Sequence, residues 1–187
     1  MADRPVTFQH FTADAAADVV DRVVANLYVA THADVIDDPF YSVERFMERV
    51  HGYMRSPGFE LVVASVDDEP VGLALGYALP VNARWWNGLT TPAEPGLIDE
   101  DGSRTFGLNE LMVHPEWQAQ GIAHAIHNEL LYNRPERRAA LTVRANNMSA
   151  QRAYAKWGWR CIGKLQPFPD SPHYDALVLD LTRAGAP

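Results

Sequence analysis

A glutamate in the middle of an apolar strand is the residue of this sequence best placed to do acid–base chemistry. The run FGLNELMV (106–113) is typical of a strand, and alternation puts Leu108, Glu110 and Met112 on one face. A carboxylate in such surroundings is unusual, and partial burial raises its pKa toward neutrality. Glu110 is therefore the candidate general base, with a structural carboxylate bonded to a neighbour as the alternative.

The polar loop after this strand precedes a predicted helix in which Ile122, Ile126 and Leu130 recur at helical spacing. The first N–H groups of a helix have no partners within it and carry a partial positive charge. Because small residues let an anion approach the backbone, we predict that a phosphate or pyrophosphate binds this loop. Its residues are Gln118, Ala119, Gln120, Gly121, Ile122 and Ala123. Neither a P-loop nor the G-x-G-x-x-G dinucleotide motif is present.

A second block with chemical potential lies downstream, in the pattern N-x-x-A-x-x-x-Y-x-x-x-G-W from Asn147 to Trp159. Asn147 is placed to cap a helix. A tyrosine is protonated at neutral pH, so Tyr154 could donate a proton. The alternative is that Tyr154 is a plain core aromatic on a helical stripe with Ala150 and Trp157.

In this order and on these elements, the two blocks resemble the signatures of the GCN5-related N-acetyltransferases, the GNAT superfamily: Q/R-x-x-G-x-G/A and N-x-x-A-x-x-x-Y-x-x-x-G-F. The resemblance covers about residues 106–165. It implies acetyl-CoA as donor, a primary amine as acceptor, and direct attack of the amine on the thioester. It also implies that Glu110 is the base, directly or through water, and that Tyr154 lies beside the CoA sulfur as the acid.

The resemblance further implies which residues contact the cofactor. The backbone of Leu111, Met112 and Val113 would bind the pantetheine arm, with one N–H there as oxyanion donor. The 118–123 loop would bind the pyrophosphate, and Asn147 would contact the cofactor or only cap its helix. This sequence departs from the family in having no basic side chain between Arg104 and Arg134. Pyrophosphate binding would rest on backbone amides and the helix dipole, unless Arg144 or Arg152 reaches in.

The elements that must position these residues alternate along the chain. Periodicity predicts a strand from Val6, helices over Ala13 to about Ala30 and Tyr41 to Met54, and strands over 59–66 and 71–79 with a turn at Asp67–Pro70. After residue 104 it predicts strands over 106–113, 140–145, 159–165 and 174–181, with helices over about 121–133 and 148–157. The fold class is α/β (α+β): one domain over 1–187, with a mixed, mostly antiparallel central sheet and helices on both faces.

A long irregular segment, 81–104, interrupts this alternation. Such loops in compact domains are often functional, so the segment is either a lid over a ligand or a surface flap that packs two tryptophans. We expect Trp85, Trp86 and Phe168 to form apolar walls of the acceptor site. Five acids could attract a cationic amine or merely solvate the surface: Asp37, Asp38, Glu94, Asp99 and Glu100.

The bulk composition narrows the function classes. A net charge of −8 and a pI near 5.3 argue against nucleic acid or an anionic membrane as partner. The single cysteine, Cys161, permits no internal disulfide and is expected to be a buried small residue, which suits the cytoplasm. His124 and His127 lie three apart on a helix without a third ligand, so no metal is expected.

The sequence thus predicts an acetyl-CoA-dependent N-acetyltransferase that acts on a small-molecule amine. The 81–104 segment favours a small acceptor over a peptide. The alternatives are acetylation of a protein N-terminus or lysine, and a non-catalytic acyl-CoA-binding module. A homodimer is possible, since relatives are often dimers.

Overall fold

The computed structural model describes residues 4–182. Seven strands form one sheet in the order β1-β2-β3-β4-β5-β7-β6. The strands are β1 (Thr7–Thr12), β2 (Glu60–Val66), β3 (Glu69–Ala78), β4 (Thr105–Val113), β5 (Arg138–Arg144), β6 (Arg160–Leu165) and β7 (Tyr174–Asp180). The α-helices are α1 (Ala13–Val19), α2 (Ala25–Thr31), α3 (Val43–Met54), α4 (Ile122–Leu131) and α5 (Met148–Lys156). The chain divides into two compact units: unit 1 runs to Tyr77 and includes Asn109–Tyr132, and unit 2 comprises Ala78–Leu108 and the chain from Asn133.

Most strand pairs are antiparallel, as predicted. The pairs β1–β2, β2–β3, β5–β7 and β6–β7 are antiparallel, and β4–β5 is parallel. The predicted turn between β2 and β3 is shorter than expected. Asp67 and Asp68 form it with positive φ, while Glu69 and Pro70 already belong to β3. No helix within residues 4–182 is long and apolar enough to cross a membrane.

The first predicted helix is a continuous helical stretch from 13 to 31 with a π-helical segment, Val20–Val24, between α1 and α2. The helical spacing of its apolar residues predicts one stripe, and this is confirmed: Val20, Val24 and Leu27 are buried in the core of unit 1, and Val19 and Val23 are partly buried against it. The π-helical segment widens the helix locally, a feature common near functional sites.

Helix α3 begins where Ser42 caps it, with Oγ accepting the Arg45 N–H at 3.4 Å. Its apolar face buries Phe46 and Val50 completely. Within unit 1, close packing of β3 requires a glycine at position 72. A Cβ on Gly72 would lie 2.8 Å from the Ile126 side chain and 2.9 Å from the Met112 carbonyl.

Unit 2 contains one edge of the sheet, the strand β6, which follows β7 in the strand order and pairs with it. A register shift between Cys161 and Gly163 interrupts that pairing. Cys161 is exposed, so the expectation that it is buried is wrong. An irregular edge strand has a side that no other strand covers, and periodicity alone does not reveal that position.

The first half of the 81–104 segment is hydrogen-bonded to β6 and the residue after it, within unit 2. Leu89 forms an antiparallel bridge with Leu165. The Thr90 N–H donates to the Lys164 carbonyl at 2.8 Å, and the Gln166 N–H donates to the Gly88 carbonyl at 3.0 Å. The segment therefore adds a short extension beside β6.

Buried polar groups fix the second half of this segment. One oxygen of Glu100 accepts hydrogen bonds from Trp86 Nε1 at 2.9 Å, Thr105 Oγ1 at 3.0 Å and Arg138 Nη2 at 2.9 Å. The Glu100 and Arg138 side chains are 2% and 10% exposed. The Arg104 guanidinium donates to the carbonyls of residues 96 and 99. Both halves of the segment are thus tied to unit 2, while its role as a lid stays a prediction.

Candidate active site

Glu110 lies in the unit 1 part of β4 and is half-buried. Burial raises the pKa of its carboxyl to about 7, and the positive charge of Arg49 opposes that rise. Its position and pKa suit a general base near neutral pH.

Burial raises the pKa values of three tyrosines of unit 1, Tyr28, Tyr53 and Tyr77. Tyr28 is buried, and its hydroxyl donates to the Tyr41 carbonyl at 2.9 Å. Burial is the largest cause that raises the pKa of Tyr53 and of Tyr77, and the charge of Glu110 adds to the rise at Tyr53. The rings of Tyr53 and Tyr77 lie 5.6 Å apart. The carboxylate of Glu110 is thus close to aromatic side chains with protonated hydroxyls.

Asn109, next to Glu110 in β4, also influences two of these tyrosines. Hydrogen bonding from Asn109 lowers the pKa of both Tyr53 and Tyr77. Both tyrosines pack against the core of unit 1, to which Met112 belongs. The Oδ1 atom of Asn109 is buried and has no hydrogen-bond partner among the described residues.

The predicted anion loop has the backbone geometry of a tight turn into α4. Ala119 and Gly121 have φ values of 60° and 83°, and a non-glycine residue with positive φ is uncommon. Gly121 is the N-cap of α4, and no side chain caps the helix. A Cβ at Gly121 would meet nothing within 4 Å. The space beside Gly121 is thus open, and no side chain caps the first N–H groups of α4; anion binding here stays a prediction.

The glutamines of this loop bond to the backbone. Gln118 Nε2 donates to the Val113 carbonyl at 3.0 Å, which ties the loop to the end of β4. Gln120 Nε2 donates to the Glu116 carbonyl at 3.2 Å. Gln118 is therefore a residue that positions the loop, and a direct contact of its side chain with a cofactor stays a prediction.

Asn147 and Tyr154 lie in unit 2, at the start and in the body of α5. Asn147 Oδ1 accepts the Ala150 N–H at 3.1 Å, so Asn147 is a helix cap, as predicted. Tyr154 is 9% exposed and packs edge-on against Trp157 and Trp159, with ring centroids 5.4 and 5.8 Å away. Tyr154 is thus a core aromatic by its packing, and its role as an acid stays a prediction.

The three residues predicted to form apolar walls of the acceptor site all lie in unit 2, and their side chains differ in how exposed they are. Trp86 is 7% exposed and packs with Ala140 and Val178, so it belongs to the core of unit 2. Trp85 packs against that cluster, and its Nε1 is buried without a hydrogen-bond partner among residues 4–182. Phe168 is 50% exposed and is the most accessible of the three.

Some of the acids expected to attract a cation have structural roles instead. Asp38 caps the short helical turn Pro39–Tyr41 by accepting the Phe40 N–H at 2.8 Å. Glu100 belongs to the buried cluster with Arg138 described above. Within the described part of the chain, no group of three or more His, Cys, Asp or Glu side chains is arranged to hold a metal ion.

Sequence reasoning missed Arg49, Tyr53, Tyr77 and Asn109. Arg49 and Tyr53 are four residues apart on α3, so the sequence does indicate that they lie on the same side of this helix. The sequence does not indicate that this side of α3 is related to Glu110, which is about 60 residues later. Their proximity is a consequence of helix α3 packing within unit 1.

Residues 96–174 match the sequence profile of the acetyltransferase (GNAT) domain. No protein of curated function matches the sequence significantly.

Solved structures similar to the chain share its fold at low identity. The Escherichia coli ribosomal-protein-S18-alanine N-acetyltransferase has a TM-score of 0.62 and 14% identity, covering 95% of this chain and 94% of its own. A spermidine N-acetyltransferase chimera from Vibrio cholerae and hSSAT has a TM-score of 0.62 and 15% identity, covering 95% and 96%. A GNAT family acetyltransferase from Elizabethkingia anophelis with acetyl-CoA bound has a TM-score of 0.62 and 14% identity, covering 94% and 97%. At such identities the likeness shows the fold alone.

Proposed function

We propose that this chain, which belongs to the GCN5-related N-acetyltransferase (GNAT) superfamily, moves an acetyl group from acetyl-CoA to a primary amine of a small molecule. The observation that carries the proposal is the state of Glu110. It is a half-buried carboxylate whose pKa burial raises to about 7, while the charge of Arg49 opposes that rise. Such a group is about half ionised at neutral pH and can accept a proton from a bound ammonium.

The proposed reaction starts with proton transfer from the substrate ammonium to the Glu110 carboxylate. The neutral amine nitrogen then attacks the carbonyl carbon of the thioester, and a tetrahedral oxyanion forms. A backbone N–H of Leu111–Val113 is the proposed donor to that oxyanion. Collapse breaks the C–S bond, and Tyr154 is the proposed proton donor to the leaving thiolate. The nitrogen, which is cationic after its attack, loses its second proton, and this proton returns to the Tyr154 phenolate. Glu110 releases the first proton to solvent, so the products are the amide, CoA thiol and one proton.

The proposed cofactor site is the loop 118–123 with the start of α4. Its support is the left-handed backbone at Ala119 and Gly121, the uncapped N-terminus of α4 and the open space beside Gly121. No basic side chain lies between Arg104 and Arg134 in the sequence. Pyrophosphate binding would therefore depend on backbone N–H groups and on the helix dipole. The co-substrate bound there would be acetyl-CoA, which supplies the activated acetyl group.

The acceptor class within this proposal is a small molecule, because the 81–104 segment is long and such segments in compact domains are often functional. The fold does not discriminate, since one neighbour is named for a ribosomal-protein alanine and another for spermidine at equal TM-scores of 0.62. Direct assay must therefore decide between a small amine and a protein amine.

The test measures CoA thiol release from acetyl-CoA with a panel of amines. The panel contains amino acids, polyamines, aminoglycosides, arylamines and short peptides. Wild type is compared with Glu110→Gln, and Glu48→Gln is the matched control because it removes the same charge from an exposed position on α3. We expect turnover with one amine class, a loss of about 100-fold or more in kcat for Glu110→Gln, and wild-type turnover for Glu48→Gln.

Saturable acetyl-CoA binding without turnover on any amine would overturn the proposal and favour a non-catalytic acyl-CoA-binding module. Turnover on peptides alone would keep the chemistry and replace the acceptor class with a protein amine. Equal turnover by wild type and Glu110→Gln would remove Glu110 from the mechanism.

A further inference from the structure

His10 on β1 contacts two carboxylates that come from two other elements of unit 1. Its Nδ1 atom lies 2.6 Å from Glu60 Oε1 at the start of β2, and its Nε2 atom lies 3.0 Å from Glu129 Oε1 on α4. The register of β1 and β2 pairs His10 with Val62. Because Glu60 is two residues from Val62, the His10 and Glu60 side chains lie diagonally on one face of the strand pair. One imidazole ring therefore links α4 to β1 and β2.

This arrangement requires both ring nitrogens of His10 to be donors. An ionised carboxylate only accepts hydrogen bonds, and a neutral imidazole has one N–H and one acceptor nitrogen. Only the imidazolium form can therefore donate to Glu60 and Glu129 at the same time. The hydrogen bond to Glu60 is the largest cause that raises the pKa of His10 above its ordinary value of 6.5; burial opposes the rise and Glu129 adds to it. Its own strand, Thr7–Thr12, contains no other titratable side chain.

The contact with His10 constrains the orientation of α4. Ile126 and Leu130 bury the apolar face of this helix, but apolar burial is non-directional. The hydrogen bond between Glu129 and His10 is directional, and it joins the last turn of α4 to the neighbouring strand. Residue 129 lies about 12 Å along the helix from Gly121, at 1.5 Å per residue. A rotation of the helix at its last turn therefore also moves its first N–H groups.

We propose that His10 is a positioning residue for the proposed cofactor site: as an imidazolium it orients α4 through Glu129, and loss of its proton weakens acetyl-CoA binding. This inference rests on the proposed function, since it takes the first N–H groups of α4 as the pyrophosphate site. His10 acts through the helix and not on the reacting atoms. The three side chains are between 25% and 42% exposed, so water screens the contact and the effect on binding is about two- to fivefold.

The experiment measures the Kd of acetyl-CoA without any amine, by isothermal titration calorimetry between pH 6 and pH 9. Wild type is compared with His10→Gln and Glu129→Ala, which remove the contact from either side. His51→Gln is the matched control, because His51 Nε2 lies 3.0 Å from Asp21 Oδ1 in an exposed pair that does not involve α4. Phosphate groups also titrate near about pH 6, so each variant is read as the ratio of its Kd to that of wild type at the same pH.

At pH 6 we expect the Kd of His10→Gln and of Glu129→Ala to be about two- to fivefold above that of wild type. These ratios should approach one by pH 9, because a contribution that depends on a raised pKa is present at low pH and lost as the pH rises through that pKa. The ratio for His51→Gln should stay near one throughout.

An NMR titration of the histidines supplies a reciprocal readout. If protonated His10 favours cofactor binding, saturating acetyl-CoA must favour protonated His10 to the same extent, so the pKa of His10 should rise. A twofold to fivefold change in Kd corresponds to a rise of about 0.3 to 0.7 in that pKa. The pKa of His51 should not change.

Four outcomes would overturn the inference while the acetyltransferase function stands. They are an unchanged Kd in His10→Gln at pH 6, a ratio that stays constant up to pH 9, an equal effect in His51→Gln, and a pKa of His10 that acetyl-CoA does not move. Failure of wild type to bind acetyl-CoA at any pH would instead count against the proposed function itself. Melting curves of the variants at pH 6 separate a weakened site from a lost fold, and Glu129→Ala serves if His10→Gln fails to fold.

Discussion

Replacing Glu110 with glutamine should make the protein more stable and less active above neutral pH. In the folded protein the pKa of Glu110 is about 7, raised from an ordinary value of 4.5 mainly by burial. The folded state therefore binds the proton more tightly than the unfolded state. The resulting stability is fully present below about pH 4.5 and is lost as the pH rises through about 7.

The magnitude follows from the size of that rise. One pKa unit corresponds to about 1.4 kcal/mol, so the ionised carboxylate costs the folded state at most about 3 kcal/mol at pH 8. Because glutamine does not titrate, the stability of Glu110→Gln relative to wild type should rise by about 2 kcal/mol between pH 5 and pH 8. The activity of the wild type should fall as the pH drops below about 7, because the base becomes protonated.

Urea denaturation of both proteins at pH 5 and pH 8 measures this difference from the transition midpoints. Glu48→Gln provides the control, since it removes a carboxylate from an exposed position of α3. If the difference between wild type and Glu110→Gln were the same at both pH values, the reasoning that burial holds this carboxyl in its protonated form would be refuted.

Four further perturbations test other parts of the structure. Gly121→Ala should raise the KM for acetyl-CoA and cost about 1 kcal/mol, because φ is 83° there; an unchanged KM would argue against anion binding at this loop. Asn147→Ala should lower stability by about 1 kcal/mol through the lost cap, and Asn147→Ser should restore most of it in thermal melts. Glu100→Gln should cost about 3 kcal/mol by breaking a buried ion pair and should expose 81–104 to proteolysis; a segment that stayed resistant would show that other contacts suffice. His10 has a raised pKa, chiefly because it hydrogen-bonds Glu60, so the stability advantage of wild type over His10→Gln should be present at pH 5 and lost by pH 9; a constant difference would contradict this assignment.

Local chemistry explains why much of the fold was predictable. Val20, Val24 and Leu27 recur at helical spacing in the sequence, and they are buried as expected. Asn147 caps α5 because an asparagine before a helix bonds to the N–H three residues later. Gly121 occupies the left-handed position at the start of α4. Each of these features depends on a few residues that are close in sequence, so the local sequence is enough to predict it.

Other expectations were missed because they depend on packing. Cys161 is exposed at an irregular edge strand, although its surroundings in sequence are apolar. Trp86 lies in the core of unit 2, with its indole N–H bonded to Glu100, a contact that its place in a long loop does not reveal; its part in the acceptor site stays a prediction.

The sequence by itself determined the strand that carries Glu110, the predicted anion loop after it and the helix that follows. The spacing of apolar residues and the presence of small residues are both read from a short stretch of chain. Only the tertiary structure decided what surrounds Glu110. Arg49 and Tyr53 on α3 approach it because that helix buries Phe46 and Val50 in the core of unit 1. The pKa of the carboxyl is a product of that packing, since burial and a nearby charge are set by residues distant in sequence.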